Sequence, residues 1–222
     1  MAQLLCVESA NLPLAVAETR PYSPSMTDGT GRWAIRSART VYHNKWISVR
    51  EYDAVAPTGA PALYGLVHMK NLALGVLPLD AEGCTLLVGQ ERFPLGRYSW
   101  ELPEGGGDAE RPPIEGAIRE LSEEVGLKAA HWHALLEDVH LSNSVTDERA
   151  YAFLAWGLSP CGAFQKDASE DIVVHRVPFP RALDMALAGE ITDVFTLAML
   201  MKAAHLARRG ELPAEVCQLL RG

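Results

Sequence analysis

Arg119-Glu120-Leu121-Ser122-Glu123-Glu124 sets three carboxylates and a guanidinium on a short stretch of chain. In an α-helix, residues three and four apart share a face, so Glu120, Glu123 and Glu124 project together. Acids so placed repel one another unless positive charge lies among them. A hard divalent cation meets that need, because Mg2+ and Mn2+ prefer oxygen ligands and bind carboxylates together with substrate phosphates. Arg119 reaches Glu123 one turn on. Upstream, Gly105-Gly106-Gly107 lets backbone come close to the same place. Acidic helix faces are usually only solvated surface. That reading leaves the glycine triplet before the helix and Gly126 directly after it without a reason.

The elements around this segment must hold it in place. Pro112 and Pro113 suit a first helical turn and Gly126 a C-terminal cap, so the stretch reads as loop, helix, stop. Acids in the later turns oppose the helix macrodipole, a cost that a functional role would explain. Before the helix, residues 46–52 and 63–69 are strand-like and joined through the turn sequence Ala56-Pro57-Thr58-Gly59. Residues 72–79 and 84–90 read as buried strands on either side of Asp80-Ala81-Glu82-Gly83. Further strands are predicted at 135–141, 150–156 and 172–177, then helices at 181–188 and 193–208. Thr192 or Asp193 could cap the second helix. That helix is apolar almost all round, which predicts deep burial or a subunit interface.

Residues 105–127 resemble the Nudix box, G-x5-E-x7-R-E-U-x-E-E-x-G-U, with U a bulky aliphatic residue. Gly105, Arg119, Glu120, Leu121, Glu123, Glu124, Gly126 and Leu127 match it. Arg111 stands where the box has glutamate, and Glu110 lies one residue early. In the family that glutamate mainly supports the loop-helix structure. Trp100-Glu101-Leu102-Pro103-Glu104-Gly105-Gly106 is similar to the approach to the box in ADP-ribose pyrophosphatase-like members. Ser142-Asn143-Ser144-Val145-Thr146-Asp147-Glu148 takes the place of that group's S-P-G-x-[ST]-[DE]-E segment, with Asn143 and Ser144 replacing proline and glycine. Ser169-Glu170-Asp171-Ile172 resembles the acidic loop before the last core strand. The resemblance runs from about Tyr42 to Ala204, and the box is its most specific part.

The fold it implies is α/β: an α/β/α sandwich around a mixed sheet, preceded by a small N-terminal β domain. The expected division is an extended or disordered arm at 1–30, a β domain at 31–69 that mediates dimerisation, and a hydrolase domain at 70–222. A homodimer is expected by the same analogy. The 48% hydrophobic content supports a real core, and no apolar run nears the roughly 20 residues that span a bilayer. The start of the chain lacks a basic region followed by an apolar run, so no secretory signal is expected. Cys6, Cys84, Cys161 and Cys217 form no CxxC pair, which points to reduced thiols in the cytoplasm. A formal charge of −8 argues against nucleic acid as a partner. It does not exclude a small nucleotide, because a bound cation supplies positive charge locally.

The resemblance implies metal-assisted attack of water on a phosphoanhydride. The expected metal set is Glu120 and Glu124, with Glu123 sharing or bridging, and the backbone carbonyl of Glu104. Mg2+ is the expected cofactor and Mn2+ its substitute. Arg119 orders the acids. Glu170 is the first candidate for the general base, with Asp171 and Glu148 behind it. Trp46 and Tyr98 could stack on a base, while Arg92 and Arg97 could meet phosphate with their forked donors. Glu101, in the approach to the box, joins them as a substrate-binding candidate. Trp46 is equally well explained as packing of the β domain. The expected reaction is hydrolysis of a nucleoside diphosphate linked to another moiety, ADP-ribose to AMP and ribose 5-phosphate first. Alternatives are another sugar nucleotide such as GDP-mannose, and a Nudix-fold sensor that binds without hydrolysis. The intact glutamates speak against the sensor.

Overall fold

The glycine run forms a strand, although glycine disfavours strands on its own. In the computed structural model, which describes residues 33–162 and 171–222, Glu104–Asp108 pairs antiparallel with Asn71–Leu79. The first three strands, β1 (Ala34–His43), β2 (Ile47–Val55) and β3 (Pro61–Met69), make an antiparallel sheet in the order β1-β2-β3. The turn at Ala56 closes with Gly59 N–H donating to the Ala56 carbonyl at 2.8 Å. The expected arm at 1–30 lies outside the described residues.

The chain then lays down β4 (Asn71–Leu79), β5 (Cys84–Arg92), β6 (Arg97–Glu101) and β7 (Glu104–Asp108). Between β4 and β5, Asp80 Oδ1 accepts from the N–H groups of Glu82 and Cys84, both at 2.9 Å. Helix α1 (Pro113–Val125) follows, then β8 (Leu127–His140), β9 (Arg149–Pro160) and β10 (Val173–Pro178). Helices α2 (Phe179–Leu187), α3 (Val194–Arg209) and α4 (Ala214–Arg221) end the chain. One sheet runs β7-β4-β9-β8, with β4 and β9 parallel and the other pairs antiparallel; a second runs β10-β5-β6. The expected mixed sheet is present.

Two cores clamp the mixed sheet. On one face Val76 of β4 and Ala155 of β9 pack on Ala117 and Leu121 of α1. On the other, Leu77, Leu79, Ala150, Ala152 and Leu154 meet the three C-terminal helices. Period-two alternation along β4 explains the split. Helix α3 buries Phe195, Met199, Leu200 and Ala203 there, while Val194 and Met201 remain exposed. Deep burial therefore accounts for most of its apolar surface. Gly75 is the point of closest approach: a Cβ there would lie 2.7 Å from Met199 Cε and 2.9 Å from Phe195.

Candidate active site

Helix α1 begins and ends as its sequence predicts. Pro112 is the N-cap with Pro113 following it, and Gly126 caps the C-terminus in the left-handed region at φ 69°. The loop ahead of it is closed by Asp108, not by an acid at the box position. Asp108 Oδ1 accepts from Glu110 N–H at 2.9 Å, and the Asp108 carbonyl accepts from Arg111 N–H at 3.2 Å. Arg111 itself pairs with Glu115 one turn on. The basic residue thus stabilises the first turn from the outside.

The three glycines serve α1 by what they lack. A Cβ on Gly105 would fall on the Glu120 carboxylate, and one on Gly107 or Gly116 would fall on Leu74 Cδ1. Strand and helix therefore touch through bare backbone, and Glu120 lies against β7. Glu120 and Glu124 are buried, at 7% and 6% exposure, whereas Glu123 is nearly half exposed. Arg119 ties the cluster: its guanidinium donates to Glu120, to Glu123 and, at 2.6 Å, to the Gly106 carbonyl. Glu104 N–H donates to Glu124 Oε2 at 3.0 Å.

Behind β7 lies a second group of acids. Glu101 is buried and held by Arg92 in a two-pronged pair, with Nε 2.9 Å from Oε1 and 3.1 Å from Oε2. That bond raises the Arg92 guanidinium pKa, burial offsets part of the rise, and the charges of Glu101, Glu104 and Glu124 add to it. The Glu104 side chain turns toward α3, where its Oε1 accepts from Thr196 Oγ1 at 2.7 Å. Burial pushes the Glu104 carboxyl well above the ordinary range; Asp193 pushes the same way, the Thr196 bond offsets part, and Glu101 adds to the rise. Asp193 caps α3, as one of the two expected candidates, and accepts from Thr196 N–H at 2.6 Å.

The structure thus brings Glu104, Glu120, Glu123, Glu124, Arg119, Arg92 and Glu101 together around β7. Arg97 points elsewhere, its guanidinium 3.3 Å from Thr192 Oγ1. Tyr98 stands edge-on to Trp100, with ring centroids 5.4 Å apart, over Gly89, where any Cβ would strike the Tyr98 hydroxyl and the Trp100 ring. Trp46 is 55% exposed, with Lys45 Nζ 4.2 Å above its ring. Glu170 lies outside the described residues. Glu148 is half-buried, and burial followed by the Asp147 charge raises its carboxyl pKa.

An oxygen-only donor set with two buried carboxylates fits a hard cation. The bare backbone at Gly105 fits it as well, because it lets the Glu120 carboxylate lie directly against β7. Among the described residues, no three His, Cys, Asp or Glu side chains stand close enough to hold a metal by themselves. Carbonyl, substrate and water oxygens would therefore complete the shell. Two contacts escaped sequence reasoning. The Thr196 hydroxyl gave no signal beyond its place after a cap. The other is His68 Nδ1 at 2.6 Å from Asp147 Oδ2, a partner 79 residues away that local spacing does not show.

Comparison with known proteins adds lineage to this geometry. Residues 69–207 match the model of the NUDIX domain. An ADP-ribose pyrophosphatase of Mycobacterium tuberculosis is 35% identical over 176 residues, covering 78% of this chain and 84% of that protein. An ADP-ribose pyrophosphatase of Bacillus subtilis is 29% identical over 157 residues, 70% of this chain and 84% of the relative. A crystal structure of an ADP compounds hydrolase superposes with a TM-score of 0.72 at 20% identity, covering 81% of this chain and 97% of that one.

Proposed function

The chain belongs to the Nudix family, and from that premise we propose that it hydrolyses the pyrophosphate bond of a nucleoside diphosphate linked to a second moiety, with ADP-ribose as first substrate and AMP and ribose 5-phosphate as products. The observation that carries the reading is the pair of buried carboxylates, Glu120 and Glu124, set against the bare backbone of β7. Similarity to proteins named ADP-ribose pyrophosphatase supports the choice of substrate.

Glu120, Glu124 and the Glu104 carbonyl would hold Mg2+, or Mn2+ in its place, with the more exposed Glu123 sharing or bridging a second ion. Such an ion screens the diphosphate charge and lowers the pKa of coordinated water. The protein's part is to keep the acids in position. Arg119 supplies positive charge while the acids wait and fixes their spacing through Gly106. Arg92, half-exposed at its side chain and locked on Glu101, presents its remaining N–H donors beside the acids, where a phosphate oxygen can accept them. We assign base stacking to Trp46 and Tyr98 and the proton-accepting role to Glu170; Arg97 would meet phosphate only by swinging away from Thr192.

The same reading makes residues 33–69 a dimerisation element of a homodimer working in the cytoplasm. Its sheet exposes Val41, Tyr42 and Leu63, the last at 71%, more apolar surface than a lone small sheet needs. Cys84 and Cys217 are buried free thiols, and no helix among the described residues is long and apolar enough to cross a membrane.

A panel of ADP-ribose, other sugar nucleotides, dinucleoside polyphosphates and NADH, run with Mg2+ or Mn2+ and product identification, tests the activity. Glu120→Gln and Glu124→Gln should abolish turnover with the fold intact. Full turnover in chelator would sink the metal requirement, and no turnover of any diphosphate would sink the enzyme. Sedimentation velocity at micromolar concentration tests the dimer.

A further inference from the structure

Thr196 is wholly buried in the first turn of α3, yet both roles of its hydroxyl are spent on the approach to β7. Its Oγ1 accepts from Leu102 N–H at 2.9 Å and donates to Glu104 Oε1 at 2.7 Å. Between those residues the Pro103 carbonyl accepts from Val76 N–H at 2.9 Å, and Pro103 has a fixed φ of its own. The Glu104 peptide then donates to Glu124 Oε2 at 3.0 Å. An unbroken path thus runs from the Asp193 cap through Thr196 and Glu104 to a carboxylate of α1, joining the two faces of the mixed sheet.

We propose that Thr196 is a positioning residue for the cation site: it orients the Glu104 peptide, and through it the Glu124 carboxylate and the Glu104 carbonyl. The inference rests on the reading of α1 as a divalent-cation site. Three anchors fix Leu102–Glu104: the Leu102 N–H, the Pro103 carbonyl and the Glu104 carboxyl. Thr196 supplies two of them. A threonine hydroxyl can donate one hydrogen bond and accept others, so an isosteric valine breaks both anchors at once without leaving a hole. Groups that orient metal ligands from behind control affinity by about 10- to 100-fold. The alternative is a threonine that merely secures the first turn of α3; that role predicts a loss of stability and nothing at the cation.

The test compares Thr196→Val, Thr196→Ser and Glu104→Ala in the full chain. Free Mn2+ is titrated by electron paramagnetic resonance, and kcat and KM are measured on the best diphosphate substrate. Thermal midpoints are recorded alongside. Thr196→Val and Glu104→Ala should weaken Mn2+ binding about 10- to 100-fold and lower kcat more than they raise KM. Thr196→Ser, which keeps the hydroxyl, should recover most of both. Wild-type Mn2+ affinity in Thr196→Val with a lowered thermal midpoint would overturn the proposal. Should Thr196→Val fail to fold, wild-type affinity in Glu104→Ala does the same. If the wild-type chain binds no Mn2+, the cation-site reading fails first and the proposal with it, whereas a wild-type chain that binds Mn2+ with no effect in the variants fails the proposal alone.

Discussion

At Gly105 the missing side chain is the functional group. A methyl there must displace the Glu120 carboxylate, because β7 is held by β4 on one side and α1 is packed through Leu121 on the other. Gly105→Ala should therefore fold and lose activity, by about 10- to 100-fold in kcat at fixed metal, and steady-state assays across a Mn2+ series would show it. Glu148 invites a pH experiment. Burial raises its carboxyl above the usual value of 4.5 in the folded protein. A raised carboxyl pKa means the folded state holds its proton longer than the unfolded chain does. The associated stability is fully present below the unfolded value and is lost as pH rises through the folded one. Glu148→Gln, which cannot ionise, should gain on the wild type as pH climbs from about 4 to about 7, read as the difference in thermal midpoint. A constant difference across that range would count against the burial argument.

At the scale of elements, the contact between β4 and α3 is close as well, though less tight than that between β7 and α1. Gly75 already lies under Met199 and Phe195, so Gly75→Ala should destabilise by about 1–3 kcal/mol, as overpacked cores do, measured by urea unfolding. Helix α1 could be read from sequence because its signals are local: prolines at the start, glycine at the stop and acids one turn apart. Strand β7 could not, since Glu104–Asp108 is three glycines between two acids and becomes a strand only because β4 offers it a ladder. Strand β1 was missed for the opposite reason. Its residues are exposed almost throughout, so no alternation marks a buried face. Strand β8 was expected from 135 but begins at Leu127, directly after the left-handed cap of α1 turns the chain back. Helix α4 is short, and its Pro213 start gave too little pattern to separate it from a tail.

Over the whole molecule, the N-terminal sheet is fastened to the catalytic unit by the loop at 142–148. Val67 N–H donates to the Val145 carbonyl at 2.8 Å, and Tyr64 Oη donates to the Ser144 carbonyl at 2.5 Å. Asp147 takes Met69 N–H on one oxygen at 2.9 Å and His68 on the other. Asp147→Ala strands the Met69 donor, and leaving such a group unpaired costs about 1–3 kcal/mol. The variant should show faster amide exchange across β3 and the loop than across β4 and β9. Uniform exchange would mean that the sheet is held by something else. Sequence reasoning saw this loop as a departure from the family pattern at Asn143 and Ser144. The fastening itself is made by the Ser144 and Val145 carbonyls and the Asp147 carboxylate, and partners as much as 80 residues apart leave no trace in composition or spacing.

The hold of Arg119 on the Gly106 carbonyl also bears on how copies of this chain avoid one another. Among the described residues strand β7 pairs with β4 alone and ends its sheet, and an edge of bare glycines is a template for a foreign strand wherever the side chains of α1 do not cover it. The guanidinium occupies one acceptor on that edge and carries charge to the place where a second chain would have to pair. Removing it would therefore do more than disturb three acids. An Arg119→Ala preparation should scatter more light on concentration and warming than an active-site lesion alone predicts, because the residue that orders the acids is also the gatekeeper of an aggregation-prone edge.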